Sequence, residues 1–275
     1  MPDPSKLAFF LGGHDLEMLT IRDLVSEISP ERVFDKNLRW GAKASAYRAE
    51  IDDAVTSGVQ PVLVELDDDV GVPGAYVVVD HHGSRAGATA PTSLHQVFDL
   101  LQFPRSRWTR WLELVAANDR GHIRELRRMG ASEDEIQRIR TADRAAQGIT
   151  ESDERAGEKA IQQAQTFADG LLMVVELPHA HTAVVADRLE MHPDPPENLL
   201  VISPGEVNYY GPGLVIEALD SRYPGGWTGG SLPERGFWGR RPIPSDIVDF
   251  TASAIERVAR TSRVQAQTPT LSVRR

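Results

Sequence analysis

The chain has 275 residues, with 30 Lys and Arg against 40 Asp and Glu, a formal net charge of −10 and no cysteine. A hydrophobic content of 41% with 25% charged residues describes a globular protein, and no run approaches the roughly 18 apolar residues of a membrane span. The negative balance argues against a coat for long nucleic acid, and the missing cysteines exclude disulfides, a thiolate nucleophile and Cys-ligated clusters. The opening residues, Met1 to Lys6, lack the charged-then-apolar layout of a signal peptide, so a cytoplasmic protein is expected.

Leu7 to Leu11 is a continuous apolar run, the pattern of a strand buried on both faces, and it leads into Gly12-Gly13-His14-Asp15-Leu16-Glu17. The glycines let the backbone leave the strand sharply, and the i, i+2 spacing of Asp15 and Glu17 would aim both carboxylates the same way from an extended turn. Helical patterns follow over Thr20 to Ile28 and Lys43 to Thr56. Then come two more apolar runs, Val62 to Leu66 and Ala75 to Val79, which lead into Asp67 and into Asp80-His81-His82-Gly83. Open α/β sheets place ligands at the carboxyl ends of their strands, so Asp67, Asp80, His81 and His82 are offered to one crevice. Carboxylate oxygens with imidazole nitrogens form the donor set of Mn²⁺, Zn²⁺ or Fe²⁺ rather than of Ca²⁺. A helix should open at Thr92 or Ser93, after Pro91, and Asn118-Asp119-Arg120-Gly121 follows the helical stretch Trp111 to Ala117. Alternation of strands and helices implies parallel strands with crossover helices.

The polar, helix-favouring region that follows contains two helix starts, Ser132-Glu133-Asp134-Glu135 and Thr150-Glu151-Ser152-Asp153, each a capping residue ahead of acids. Residues 1–130 therefore read as a metal-binding domain, 131–168 as a helical connector, 169–260 as a smaller α/β domain, and 261–275 as a flexible tail. In the second domain, Leu171 to Glu176 reads as a strand, Thr182 to Glu190 as a helix, Leu199 to Ile202 with Val207 to Tyr210 as a hairpin, and Asp246 to Val258 as the last helix. His179 and His181 fall in the strand-to-helix turn with no acid near them in sequence, the usual place of surface or capping residues. The Gly-rich segment Tyr223 to Gly230 exposes backbone N–H groups that can cradle an anion, and Arg235, Arg240 and Arg241 follow closely.

Asp80-His81-His82 at the end of a Val-rich strand resembles the signature of the DHH phosphoesterase superfamily, which includes RecJ-like exonucleases, oligoribonuclease/pAp phosphatases, cyclic-dinucleotide phosphodiesterases and manganese-dependent pyrophosphatases. Asp15 matches the first Asp of that superfamily's first motif, Glu17 replaces its second, and His14 is displaced by one position. Asp67 stands for the second motif and Asn118-Asp119-Arg120-Gly121 for the fourth. The segment from Tyr223 to Gly230 stands where a Gly-Gly-Gly-His loop is expected, without the His.

The resemblance implies an N-terminal parallel-sheet α/β domain, a helical connector and a C-terminal α/β DHH-associated domain. It further implies hydrolysis of a phosphoester or phosphoanhydride assisted by Mn²⁺ or another divalent transition metal, with two ions about 3.5–4 Å apart. By motif position Asp67 would bridge them, while Asp15, Glu17, His81 and Asp119 complete the ligand set and His14 adds to it. Asp80 would orient an imidazole and His82 would contact the phosphate or leaving oxygen. Gly225, Gly226, Thr228, Gly229, Gly230, Arg235, Arg240 and Arg241 would hold the substrate, expected to be a short oligonucleotide, pAp or a cyclic dinucleotide. A non-catalytic metal- or nucleotide-binding protein, a pyrophosphatase and a single-strand exonuclease are the alternatives. The oligomeric state stays open, with a homodimer among the options.

Overall fold

All five residues of β1 (Leu7–Leu11) are buried, as the unbroken apolar run requires. The computed structural model describes residues 3–39, 41–81 and 90–267, and the chain divides into two compact units, Met1–Gly148 and Ile149–Arg275. In the first unit β1 is flanked by β2 (Val33–Asp35) and β3 (Gln60–Val64), and β3 carries β4 (Val77–Val79), giving the parallel order β2-β1-β3-β4. The register pairs Leu11 with Val64 and Val64 with Val79. The residues after these three therefore leave the sheet at the same edge, where the sequence holds Gly12, Glu65 and Asp80. Strand β4 is shorter than Ala75 to Val79 and lies at the edge of the described sheet; Val78 is 42% exposed, so this run is apolar without being covered on both faces.

One face of the sheet packs Ala8, Phe10 and Leu63 against Tyr47 and against Ile51 of α2 (Arg48–Thr56). Phe10 stacks on Phe34 at 4.8 Å, and the Tyr47 hydroxyl donates to the Leu11 carbonyl (2.7 Å) while accepting from Lys36 N (2.9 Å). Helix α1 (Leu16–Ser26) packs against α3 (Ser93–Leu100), α4 (Arg110–Arg128) and α5 (Glu133–Ala146). Capping boxes start α5 at Ser132 and α6 (Glu151–Gln162) at Thr150, as the sequence indicates.

Residues 131–168 do not form a separate connector. Helix α5 packs on α4 and α1 in the first unit, α6 packs on α7 (Ala183–Glu190) and β6 (Leu172–Glu176) in the second, and the division falls at Gly148 rather than near residue 168. The cause is side-chain chemistry: α5 buries Arg140 and Asp143 in polar contacts with the first unit, whereas α6 presses Gly157 onto Val184, which a Cβ there would approach to 2.5 Å.

The second unit holds a six-stranded sheet, with more strands than the four described in the first. Its members are β5 (Gln165–Phe167), β6, β7 (Asn198–Ser203), β8 (Glu206–Pro212), β9 (Trp227–Ser231) and β10 (Arg235–Arg240), in the order β5-β6-β7-β8-β10-β9. Only β6 and β7 pair in parallel. Alternation sorts the side chains between faces: Val175 and Val201 meet Val184 and Val185 of α7, while Val174 and Leu200 meet α8 (Gly213–Arg222) and α9 (Ile247–Gln267) through Leu219 and Ile255. Helix α9 continues through residues expected to begin a tail at 261.

Candidate metal centre

Backbone geometry brings the strand ends unusually close. A Cβ on Gly12 would lie 2.1 Å from the Glu65 carbonyl oxygen, so only glycine admits this approach, and Gly12 N donates to the Val64 carbonyl (2.8 Å). Glu65 leaves β3 with φ of 52°, a left-handed conformation that costs a non-glycine residue free energy and ends the strand abruptly. Asp15 caps α1 by accepting from Met18 N (2.9 Å), and Glu17 falls in the first turn of that helix. The two acids therefore do not share an extended turn. At the other side, α4 carries Asp119 just before it breaks at Gly121 and His122, the latter at φ 51°.

Four side chains converge here. The His81 Nε2 atom lies 2.5 Å from Asp119 Oδ2, 3.4 Å from Glu65 Oε1 and 3.8 Å from Glu17 Oε2, and one ligand atom from each of the four residues lies within 4.8 Å of all the others. Two of these carboxylates are oriented from behind: Leu94 N at the start of α3 donates to Glu17 Oε1 (2.9 Å), and the Ser93 hydroxyl donates to Glu65 Oε1 (2.8 Å). Asp119 Oδ2 is paired with His81, whereas Glu17 Oε2 is buried with no hydrogen-bond partner among the described residues, a costly state for a carboxylate unless something else supplies positive charge.

The electrostatics agree. Burial pushes the Glu17 carboxyl well above its ordinary range, and the charges of Asp119 and Glu65 add to that, against His81 and the Leu94 N–H. Asp15 is raised to about 7 by burial and by Asp119, with the Met18 N–H opposing. For His81 burial disfavours the cation, but Asp119, Glu65 and Glu17 overcome it and lift the imidazole to about 10. Protons are thus taken up to relieve clustered negative charge, the role a divalent cation fills better. Three carboxylates and one imidazole suit Mn²⁺, Fe²⁺ or Zn²⁺, so the residues present fit the metal that the resemblance implies.

Of the ligands expected from sequence, the structure brings Glu17, His81 and Asp119 together. Asp15 caps α1 beside them, within electrostatic reach of Asp119 and Glu65. His14 is half-buried outside the four, with Nδ1 lacking a hydrogen-bond partner among the described residues. Asp80 is half-buried and its carbonyl accepts from Gln96 Nε2 (3.0 Å). His82 lies outside the described residues. Asp67, expected to bridge two ions, is exposed and not among the four: its backbone bonds Ala44 N (2.8 Å) and the Ala42 carbonyl (3.1 Å), and Glu65 reaches the cluster in its place. The missed signal was available, because Glu65 is the one charged residue within the run Val62 to Leu66. Also unforeseen was a buried network behind Asp119, in which Arg140 donates to Asn118 (2.8 Å) and Asp143 (2.9 Å) while Asp143 accepts from Leu16 N (3.2 Å).

In the second unit, the Gly-rich segment forms the turn into β9 and β9 itself, an edge strand paired with β10. Two of its glycines, Gly226 and Gly229, are in close cross-strand contact. A Cβ on Gly229 would lie 2.4 Å from the Phe237 ring, and one on Gly226 would meet the Gly239 carbonyl and the Trp238 ring; Gly225 and Gly230 sit at positive φ, and Thr228 is exposed opposite Trp238. The arginines are engaged on the protein's own acceptors: Arg235 with the Pro196 and Glu197 carbonyls, Arg240 with the Pro224 carbonyl and Arg241 with the Glu206 carboxylate.

No family model and no curated protein matches the chain. Among solved structures, an exopolyphosphatase-related protein from Bacteroides fragilis is 10% identical, with a TM-score of 0.55 over 94% of this chain and 93% of its own. RecJ from Thermus thermophilus in complex with Mn²⁺ is 15% identical, with a TM-score of 0.49 over 93% of this chain and 52% of its own. An exonuclease RecJ bound to manganese is also 15% identical, at 0.46 over 93% and 91%. The chain spans about half the length of the Thermus RecJ. The Bacteroides likeness shows a shared mixed α/β fold.

Proposed function

We propose that this chain is a divalent-metal-dependent phosphohydrolase acting on a small phosphorylated substrate, with short oligonucleotides, pAp and cyclic dinucleotides as the substrate class. The observation that carries this reading is the convergence of Glu17, Glu65, His81 and Asp119 beside the carboxyl ends of parallel strands, with the buried Glu17 Oε2 lacking a hydrogen-bond partner among the described residues. A divalent ion held there supplies Lewis-acid chemistry, making water nucleophilic near neutral pH and offsetting charge on phosphoryl oxygens. The chain's own contribution is to orient that donor set: the α3 N-terminus holds Glu17, the Ser93 hydroxyl holds Glu65, and α4 breaks just after Asp119, at Gly121 and His122. His81, lifted to about 10 in the metal-free protein, must give up its proton before it can act as a ligand.

A net charge of −10 favours a short substrate over long nucleic acid. The likeness to a protein named as exopolyphosphatase-related supports a phosphoanhydride as a second substrate class. The test is a turnover screen with Mn²⁺ over pAp, di- to pentanucleotides, cyclic dinucleotides, pyrophosphate, polyphosphate and single-stranded DNA. Turnover of at least one short substrate is expected, lost on chelation and reduced by about two orders of magnitude or more in Glu17→Gln. Absence of turnover by metal-loaded protein on every substrate would make this a binding protein.

A further inference from the structure

We propose that the second unit carries its own divalent transition-metal site, formed by Asp153, His179 and His181 and of the zinc class. Asp153 stands in the first turn of α6, and His179-Ala180-His181 forms the turn between β6 and α7. The acid lies 26 positions from His179 in sequence, which is why the two imidazoles look isolated until the chain is folded. In the structure His179 Nε2 lies 3.7 Å from Asp153 Oδ1, and His181 Nδ1 lies 3.4 Å from Asp153 Oδ2. One ligand atom from each residue falls within 4.8 Å of the other two. Ligand bonds of about 2.0–2.1 Å in a tetrahedral array separate donor atoms by about 3.4 Å, near the spacing between Asp153 and each imidazole.

Two further features point to a ligand rather than to a chance surface cluster. The His181 Nδ1 atom is buried with no hydrogen-bond partner among the described residues, although its side chain is 41% exposed. The frame around it is also stiff: Thr150 donates to Asp153 Oδ2 through N (2.9 Å) and Oγ1 (2.7 Å), Arg188 of α7 pairs with Glu154 (2.6 Å) and Glu158 (3.2 Å) of α6, and Gly157 packs directly on Val184. Such supports orient ligands before the ion arrives. Two imidazoles and one carboxylate favour Zn²⁺, Co²⁺ or Ni²⁺ over the oxygen-seeking Mg²⁺ and Ca²⁺, and three protein ligands leave a position for water. His179 Nδ1 accepts from His181 N (3.2 Å) in the metal-free protein. With Nδ1 accepting, Nε2 carries the proton toward the Asp153 carbonyl (3.3 Å); ligation through Nε2 gives up both contacts and leaves the ring proton on Nδ1, so loading is accompanied by a local shift of the turn.

The site differs from the centre in the first unit in donors and preferred ion, and metal counting separates them. Chelator-stripped, full-length protein is titrated with Co²⁺ and with Zn²⁺, following Co²⁺ d–d absorption and bound equivalents after desalting. The expected result is one equivalent that persists in a Glu65→Gln, Asp119→Asn double variant and is lost in His181→Ala. Asp153→Asn, which keeps an acceptor for the N-cap residue Thr150 and so the helix start, should weaken that equivalent at least tenfold, with the far-UV circular dichroism of every variant unchanged. Equal equivalents and affinities in wild type, His181→Ala and Asp153→Asn would overturn the proposal. Loss of all Co²⁺ and Zn²⁺ in the Glu65→Gln, Asp119→Asn double variant would also overturn it. Neither result depends on turnover.

Discussion

Glu65 and Asp67 are two residues apart and would face the same way if β3 continued, yet they end in different environments. The strand stops at Val64, Glu65 takes a left-handed φ of 52°, and its carboxylate goes to the cluster while Asp67 stays exposed. Ligation should follow position in space rather than motif order. Glu65→Gln replaces a charged donor by a neutral amide of the same shape, and we expect it to weaken Mn²⁺ binding by about tenfold or more, whereas Asp67→Asn should leave affinity within about twofold. Isothermal titration of both variants checks this, and greater loss in Asp67→Asn would restore Asp67 as a ligand.

Among the elements, α5 acts as a brace for the centre although none of its residues is in the cluster. Its Arg140 and Asp143 are 2% and 4% exposed and tie together Asn118, next to Asp119 on α4, and the amide of Leu16 at the start of α1. Removing one partner of a buried pair leaves the other charged and unsatisfied, at a cost of about 3–5 kcal/mol. Asp143→Ala should therefore lower the urea midpoint of the first unit strongly and weaken metal binding as well, through Asp119 and Glu17. Asp143→Asn, which keeps an acceptor for Leu16 N and Arg140, should lose less of both. If Asp143→Ala unfolds at the wild-type midpoint, the brace carries no weight.

At the scale of the molecule, the cluster stores electrostatic strain that depends on pH. Asp15, ordinarily near 3.8, is held at about 7, and Glu17 is raised too, so between about pH 5 and 7 the folded metal-free protein binds more protons than the unfolded chain. Where the folded state holds the extra protons, unfolding free energy falls as pH rises. His81, held at about 10, adds the same sign above its ordinary 6.5: its contribution is complete below that value and is lost as pH climbs through 10. Metal binding has the opposite dependence because ligands must be deprotonated. We expect chelated protein to lose stability from pH 5 to 7, and Mn²⁺ at 100 times its Kd to restore about 2.7 kcal/mol at pH 7 but less at pH 5. Urea unfolding with and without Mn²⁺ across that range decides it; stability that rises with pH in chelator would contradict the assignment.

Elements whose signal is local were legible in the sequence: the buried strand Leu7–Leu11, the capped starts of α5 and α6, the β7–β8 hairpin, and three of the four clustered side chains, which sit at strand or helix ends where polarity changes abruptly. Features that depend on distance between segments follow from the fold. Glu65 rather than Asp67 stands in the cluster, beside a Gly12 that lets two strand ends close on each other. The arginines near the Gly-rich strand turned to carbonyls and to Glu206 because those acceptors arrive from other strands and loops, and the expected connector divided because α5 and α6 bury different partners. Asp153 joined His179 and His181 for the same reason: hydrophobic periodicity and capping act over a few residues, whereas the charge environment of a side chain is set by whatever the fold brings within about one Debye length of it.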